Sequence, residues 1–187
     1  MRFLILQKSI PCYKLKSILL NFEGELMKIR QTTMDDLNVI LKMYKDARRF
    51  MAEHGNPNQW GNNKPSDDVI IDDIKSNRSY VCVENNKIAA VFCYMKGPDS
   101  TYKVIEEGKW INENPYGVVH RITSTGEFKG AASYAIEYAL LKSGNLRIDT
   151  HKDNYVMQNL LKKLGFTYCG VIYIDDGTPR LAYQKSL

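Results

Sequence analysis

A short run of residues near the middle of the chain has the composition of a phosphate-binding turn. The sequence Glu127-Phe-Lys-Gly130-Ala-Ala132 follows the apolar stretch 116–124 and opens the alanine-rich stretch 128–142. The start of a helix presents unpaired backbone N–H groups and the positive end of the helix dipole, which together suit a phosphate group. Small residues at 130–132 would let a ligand approach that backbone, and Lys129 adds a cation. The alternative for the same pattern is tight packing of a helix against a sheet.

The three histidines are the other candidates for chemistry, because imidazole exchanges protons in the physiological pH range. His120 lies on the apolar stretch before the turn and, by strand alternation, shares a face with Tyr116, Val118 and Ile122. A hydrogen bond within the sheet, or a role in shaping a pocket, is the alternative for His120. The histidine at 151 is expected to cap or solvate the end of the next strand, and the one at 54 to lie at the surface.

The apolar patterns from Met27 onward predict the order β-α-α-β-β-β-α-β-α-β-β. Hairpins early in the chain and βαβ crossovers late in it imply an α/β fold with a mixed sheet and helices on its faces. The polar stretch 96–114 is expected to be irregular or partly helical. Strands are expected at 27–32, 79–84, 87–95, 116–124, 146–150, 166–174 and 180–185, and helices are expected to begin at Thr33, Ser66, Phe128 and Asp153.

Local signals mark where these helices begin and end. Thr33 and Asp36 form a sequence like a capping box, with Asp in place of the usual Glu. Gly165 follows the last helix and can end it in a left-handed cap. That helix is expected to turn five apolar side chains inward, those of Val156, Met157, Leu160, Leu161 and Leu164.

The composition fits one globular domain with a single core. The chain has 187 residues, of which 44% are hydrophobic and 25% are charged, with a net charge of +5. We see neither a concentrated basic stripe nor a nucleic-acid-binding motif, so no nucleic-acid partner is expected. The modest positive charge suits an anionic small ligand. No apolar run approaches the length of a membrane span, so no membrane association is expected either.

The positions of the cysteines indicate that they are reduced thiols. Their spacing matches no metal-ligand pattern, so no metal is expected. Pairing strands 79–84 and 87–95 across an Asn85-Asn86 turn puts Cys82 opposite Ala89, so Cys82 should not bridge to Cys93. Buried reduced thiols behave as small apolar residues and favour a cytoplasmic location. The four cysteines are Cys12, Cys82, Cys93 and Cys169.

Residues 1–26 form an N-terminal extension that we treat separately. The chain opens like a signal peptide, but the polar run 7–9 interrupts the apolar stretch too early. Glu23-Gly-Glu25 is commonly encoded GAA-GGA-GAA, which contains a bacterial ribosome-binding sequence at a usable distance from Met27. One hypothesis is that Met27 is the native start and the extension is translated leader. The alternative is an ordinary amphipathic N-terminal helix.

Two motifs together resemble the GNAT superfamily of acyl-CoA-dependent N-acyltransferases, over residues 27–187. The family's pyrophosphate turn is Gln/Arg-x-x-Gly-x-Gly/Ala, and residues 127–132 match every position except the first. The family's next motif is Asn-x-x-Ala-x-x-Leu-Tyr-x-x-Leu-Gly-Phe. Here it reads Asn154-Tyr-Val-Met-Gln-Asn-Leu-Leu161-Lys-Lys-Leu-Gly-Phe166. The resemblance implies a single domain with a mixed, mostly antiparallel sheet, a central parallel pair and helices on both faces.

The resemblance also implies acetyl-CoA as the acyl donor, with no metal. The backbone of the strand ending at Ser124 would pair with the pantetheine arm as an added strand would. The amides of 128–133 would hold the pyrophosphate, and the acetyl thioester would lie near 120–122. Asn154 would contact the cofactor where the two parallel strands separate. The cofactor-binding residues implied are therefore Ile122, Thr123, Ser124, Phe128, Lys129, Gly130, Ala131, Ala132, Ser133 and Asn154.

Two positions depart from the family's pattern. Glu127 stands where the family has a neutral or cationic residue, and a like charge about 4 Å from phosphate would cost on the order of 1–4 kcal/mol. The alternative is that Glu127 turns to solvent, where its charge suits the helix dipole. Leu161 stands where many members have the tyrosine that protonates the departing thiolate. A thiolate is a good leaving group, so the sequence identifies no general acid.

His120, Tyr116 and Trp60 are the candidate residues for binding and activating the acceptor. Acyl transfer requires a neutral amine, and His120 is the candidate general base, with Tyr116 or water as the fallback. Trp60, in the breaker-rich loop 56–65, is an exposed-looking aromatic that would line the acceptor pocket, with plain packing as the alternative. Arg121 is expected to point away from His120 and to form a structural ion pair.

The sequence thus predicts an N-acetyltransferase that transfers the acetyl group of acetyl-CoA to a primary amine. The acceptor would be a small molecule or peptide, attacking directly within a ternary complex. The alternative is a non-catalytic acyl-CoA-binding module, which Glu127 and Leu161 favour. A third hypothesis, a nucleic-acid-associated regulator, is supported only by the pI of about 8.9. The acceptor's identity and the oligomeric state, with a homodimer as one option, stay open.

Overall fold

The computed structural model describes residues 27–187, so the leader hypothesis for 1–26 lies outside the described residues. Short 3₁₀ turns occupy Met34–Asp36 and Ser100–Tyr102. The helices are α1 (Leu37–Glu53), α2 (Asp67–Lys75), α3 (Ala131–Ser143) and α4 (Tyr155–Lys163). The strands are β1 (Lys28–Gln31), β2 (Ser79–Glu84), β3 (Lys87–Lys96), β4 (Gly117–Ser124), β5 (Asn145–Thr150), β6 (Thr167–Tyr173) and β7 (Pro179–Ser186).

The strands form one sheet in the order β1-β2-β3-β4-β5-β7-β6. Only β4 and β5 run parallel, and every other neighbouring pair is antiparallel. Helices α3 and α4 pack on one face, over a core that includes Ile136 and Leu161. Helices α1 and α2 cover the first half of the opposite face. The mixed, mostly antiparallel sheet with a central parallel pair is confirmed.

The predicted caps are present. The Thr33 N–H donates to the Asp36 carboxylate at 2.8 Å, which completes the capping box. At the end of α4, Gly165 adopts a φ of 77°, and its N–H donates to the Lys162 carbonyl. The Phe166 N–H reaches back to the Leu161 carbonyl, so the helix ends in a Schellman motif.

Two details of the prediction are wrong. Val156 is 60% exposed, because α4 begins at Tyr155 and its first turn projects beyond the core. Cys82 lies opposite Ala90, one residue beyond the predicted Ala89, because a bulge between Cys82 and Val83 shifts the register. Cys82 and Cys93 are nonetheless unbridged and buried, as is Cys169. Cys12 lies outside the described residues.

The segment 97–115, which we call the strap, covers the second half of the sheet on the α1 side. Glu106 exchanges both backbone hydrogen bonds with Val171, at 2.8 Å each, so the strap pairs with the edge strand β6. The Arg147 guanidinium lies 4.0 Å from the ring centroids of both Trp110 and Tyr116. The strap is expected to be irregular or partly helical, and it contains one 3₁₀ turn. It carries Asp99 over the sheet.

Gly108 is where the strap and β6 come closest. A Cβ atom at this position would lie 2.1 Å from the Cys169 carbonyl oxygen, and both groups are backbone or fixed to it. We expect Gly108→Ala to lower the free energy of unfolding by about 1–3 kcal/mol through this overlap. Urea titration measures the change. The exposed neighbour provides the control: Lys109→Ala should stay within about 0.5 kcal/mol of wild type, and equal effects of the two variants would contradict close packing at Gly108.

Candidate active site

The sheet opens between its two parallel strands. β4 and β5 pair only at Gly117 with Leu146 and at Val118 with Arg147. Beyond Val118, the β5-facing edge of β4 has no strand partner in the described part of the chain. An unpaired strand edge presents backbone N–H and C=O groups that an extended ligand can pair with, as an added strand would. The opening between these strands is called the recess below.

A bulge in β4 beside the recess changes which side chains share a face. His120 pairs with Cys93 and Thr123 pairs with Val91, so two residues of β4 lie opposite one residue of β3. Arg121 takes a φ of 53° at this point. Ile122 consequently joins the core under α3, whereas Val118 faces the strap. The prediction that His120 shares a face with Ile122 is therefore wrong, because the extra residue reverses the alternation.

The turn after β4 leads into the N-terminus of α3. The Thr125 N–H is bonded to the Ala89 carbonyl at 2.9 Å, and Gly126 and Gly130 follow with φ of 80° and 85°. α3 begins at Ala131, not at Phe128 as predicted, because Gly130 is its left-handed N-cap residue. The first turn of a helix leaves its N–H groups without intrahelical partners, so those of residues 131–133 are available to a ligand.

The predicted cofactor-binding residues at this turn and at the end of β4 differ in how far they are exposed to solvent. Gly130 has open space beside its Cα, which allows a ligand to approach the backbone. Ala131 is buried against Met27 and Ala90, in a cluster on which Phe128 packs. Phe128, Ala132, Ser133 and Thr123 are half-buried, Ile122 is buried, and Ser124, Glu127, Lys129 and Gly130 are exposed. Glu127 is thus at the surface, as its solvent alternative requires.

Asn154 lies at the N-terminus of α4 and is 9% exposed. Its Oδ1 accepts the Met157 N–H at 3.0 Å, which caps the helix, and its Nδ2 donates to Gln59 Oε1 at 2.8 Å. Gln59 also accepts from Asn56 Nδ2 at 2.9 Å. The amide of Asn154 has a second N–H, so its predicted contact with the cofactor stays a prediction. The contact with Gln59 was not predicted, because the two residues lie 95 positions apart.

His120 is held by a carboxylate that sequence reasoning missed. Its Nε2 donates to Asp99 Oδ2 at 2.8 Å. This hydrogen bond, with others from Thr101, holds the pKa of Asp99 well below its usual range. Nδ1 of His120 lies 3.7 Å from Asp149 Oδ1, which accepts the Tyr102 hydroxyl at 2.7 Å. The side chains of His120, Asp99 and Asp149 are 20%, 10% and 12% exposed, so none of the three is completely buried.

The ionised Asp99 decides which nitrogen of the neutral imidazole is free. A carboxylate can only accept, so Nε2 must carry the proton and Nδ1 is left with the lone pair. Nδ1 is too far from Asp149 for a direct hydrogen bond, and it is the nitrogen that can accept a proton from a ligand. Tyr116, the fallback base, uses its hydroxyl oxygen to accept the Asp99 N–H at 3.1 Å.

The remaining predicted residues are mainly structural. Trp60 is only 9% exposed and packs edge to face on Tyr44 at 5.6 Å, so its exposed appearance in the sequence is misleading and packing is favoured. Leu161 is fully buried in the core under α3 and α4. His54 is exposed, as predicted. His151 is buried, and its Nδ1 accepts the Asp153 N–H at 3.3 Å, a capping role.

Arg121 forms the predicted ion pair, and its partner is Asp73 of α2. The prediction that Arg121 points away from His120 is wrong, because the bulge leaves both side chains on the face that α2 and the strap cover. The guanidinium donates from Nε at 2.7 Å and from Nη2 at 3.0 Å to the two oxygens of that carboxylate. Asp73 is 4% exposed. Within residues 27–187, no group of three His, Cys, Asp or Glu side chains is arranged to hold a metal ion.

Solved structures supply the relationship to known proteins. An acetyltransferase of the GNAT family from Streptococcus agalactiae is 33% identical to this chain, with a TM-score of 0.79. The match covers 90% of this chain and 98% of that one. This chain belongs to the GNAT family of acetyltransferases. As a GNAT protein it is an acyltransferase that uses a CoA-type donor.

More distant structures share the GNAT fold. A GNAT-family acetyltransferase from Listeria monocytogenes is 20% identical with a TM-score of 0.64, and the match covers 90% of this chain and 99% of that one. A chain from the NatC complex bound to Gag peptide and CoA is 13% identical with a TM-score of 0.58, covering 86% and 98%. No family model and no curated protein matches the sequence. Within residues 27–187, the GNAT domain has no helix long and apolar enough to cross a bilayer.

The turn at Gly130 generates a test of donor binding. At a concentration of about a hundred times its dissociation constant, the donor should stabilise the fold by roughly 2.7 kcal/mol. For a GNAT domain of this size, that corresponds to a melting shift of roughly 5–10 °C. Gly130→Asp should abolish the shift, because it places a side chain and a negative charge against the phosphate site.

Gly144 offers a matched control at the other end of α3. It also has a left-handed φ, of 70°, and open space beside its Cα. Gly144→Asp should keep the donor-induced shift, measured against its own melting temperature without donor. Loss of the shift in both variants, or its retention in Gly130→Asp, would contradict a phosphate site at the start of α3.

Proposed function

We propose that this GNAT protein is an N-acetyltransferase that transfers the acetyl group of acetyl-CoA to a primary amine of a small molecule or peptide. One observation carries the proposal. The recess between β4 and β5 has a helix N-terminus for phosphate at one end and an imidazole oriented by a carboxylate at its edge. A donor and an amine can therefore meet at the same strand.

The donor side rests on backbone groups. The unpaired edge of β4 through Ile122, Thr123 and Ser124 would pair with the amides of the pantetheine arm. The N–H groups that open α3 would hold the pyrophosphate, with Lys129 as an exposed cation nearby. Left-handed glycines at 126 and 130 keep side chains out of the way. These features fit an acyl-CoA, and acetyl is the acyl group that we propose.

The acceptor side rests on His120. An amine must lose a proton to become a nucleophile, and Nδ1 of His120 has the free lone pair that can accept it. Asp149, 3.7 Å from Nδ1, is a carboxylate that can receive an N–H of the acceptor. Asp99, which accepts the Thr101 hydroxyl, orients the ring from its other side. The proton thus passes from the amine nitrogen to Nδ1.

Direct attack is favoured over a covalent relay. Burial raises the pKa of Cys93, the cysteine paired with His120 across the sheet, to about 12, so this thiol is a poor nucleophile near neutral pH. Leu161 is fully buried and has no proton to give to the departing thiolate. Because a thiolate is a good leaving group, the reaction needs no acid at this position.

The test of the proposed function is a screen of amino acids, polyamines, aminoglycosides and peptide N-termini, read by release of CoA. We expect acetyl-CoA to support turnover with at least one primary amine. Longer acyl-CoA donors in parallel reactions test the acetyl preference. A protein that binds acetyl-CoA tightly but turns over none of these amines would instead be an acyl-CoA-binding module.

His120→Gln tests the base. A positioned base contributes about 10²–10⁴-fold to the rate, so kcat should fall at least about a hundredfold while acetyl-CoA binding stays unchanged. The acidic limb of the pH–rate profile should change as well, compared on the same acceptor because the amine also titrates. His54→Gln, at an exposed histidine, is the control and should keep wild-type kcat.

A His120→Gln variant that keeps more than a third of wild-type kcat would show that His120 is not the base. Tyr116 or water would then become the candidate.

A further inference from the structure

The backbone of Arg121 is unusual for a strand. Among the described non-glycine residues within strands, it alone has a positive φ, of 53°. The other non-glycine residues with positive φ lie in turns and bends. A side chain with a Cβ is disfavoured in this left-handed region, so neighbouring contacts must hold the conformation.

Two helices supply those contacts. From α1, the Tyr44 hydroxyl donates to the Arg121 carbonyl oxygen at 2.9 Å. From α2, the Asp73 carboxylate receives both Nε and Nη2 of Arg121, the two-pronged geometry that orients a guanidinium most strongly. Tyr44 and Asp73 thus hold the backbone and the side chain of the same residue.

Both partners are themselves fixed. Tyr44 is 3% exposed and packs against Trp60, and burial raises its pKa well above its ordinary value, so its hydroxyl remains a donor. Asp73 is 4% exposed and also accepts from Arg78 Nε at 3.3 Å. A rigid donor and a rigid acceptor at one bulge leave Arg121 little freedom.

The bulge lies between His120, the proposed base, and the residues of β4 whose backbone is proposed to bind the donor. Before it, His120 points toward the strap and Asp99. After it, Thr123 and Ser124 return to regular pairing with Val91 and Ala90. The conformation of Arg121 therefore sets how the imidazole is oriented relative to the backbone that follows.

We propose that Tyr44 and Asp73 are positioning residues that lock the β4 bulge and so set the orientation of His120 at the edge of the recess. The catalytic part of this inference rests on the proposed function. Because β3 anchors the backbone after the bulge independently, loosening the bulge should impair the reaction more than it impairs donor binding. Misplacing a reacting group by about 1 Å can cost on the order of a hundredfold in rate.

Tyr44→Phe is the decisive variant, because it removes only the hydroxyl and keeps the ring on Trp60. We expect kcat to fall at least about tenfold while the dissociation constant of acetyl-CoA stays within about twofold. We also expect the ring signals of His120 in NMR spectra to shift. Only three histidines are present, which makes their assignment by substitution direct.

Tyr80→Phe is the matched control. Tyr80 is 8% exposed, and its hydroxyl accepts one hydrogen bond, from Lys142 Nζ at 2.9 Å, in the core under α3. This variant should leave kcat and the His120 ring signals as in wild type.

Two substitutions of Arg121 test the backbone directly. Glycine tolerates a positive φ and alanine does not, so Arg121→Gly should melt at a higher temperature than Arg121→Ala, although both lose the ion pair. Asp73→Asn should shift the His120 ring signals in the same direction as Tyr44→Phe.

The outcomes separate the two proposals. Unchanged His120 ring signals and a kcat within twofold of wild type in Tyr44→Phe would overturn the positioning role. Equal changes in Tyr80→Phe would also overturn it. If the wild-type protein turns over no amine, the proposed function fails, and the ring signals and the Arg121 melting temperatures still decide whether Tyr44 and Asp73 lock the bulge.

Discussion

The parting of β4 and β5 after Val118 is the constraint on which the site depends. While the strands are paired, their backbone groups satisfy each other and nothing can enter between them. Once they separate, β4 has a free edge, and the turn after it leads directly to the N-terminus of α3. The bulge at Arg121 lies on the same stretch of β4 and reverses the alternation of side chains between the residues before it and those after it. One strand thereby carries both the backbone that we propose binds the donor and the imidazole that we propose serves the acceptor.

The strap and α2 each supply a carboxylate that binds a side chain of β4. Asp99 comes to His120 from the strap, and Asp73 comes to Arg121 from α2. Each carboxylate is largely buried and meets a donor on β4, which suits burial because an unpaired buried charge is strongly unfavourable. These two contacts hold the bulge residue Arg121 and the residue before it, His120.

Much of the fold was predictable because its signals are local. The capping box at Thr33, the glycine cap at Gly165 and the hairpin of β2 and β3 around Asn85-Asn86 all depend on signals within a few residues. Two predictions that failed, the partner of Cys82 and the face shared by His120 and Ile122, have the same physical cause. An extra residue in β3 and another in β4 shift the register by one, and a two-residue repeat cannot reveal where an extra residue enters.

The sequence by itself determined the family resemblance, the order of elements and the turn at Gly130, because contiguous motifs and periodicity encode them. Only the tertiary structure decided which groups meet His120 and Arg121. Asp99 lies 21 residues from His120, and Tyr44 lies 77 residues from Arg121. Contacts between residues so far apart in the sequence depend on how the strap and helices pack over the sheet. No local pattern of residues predicts that packing.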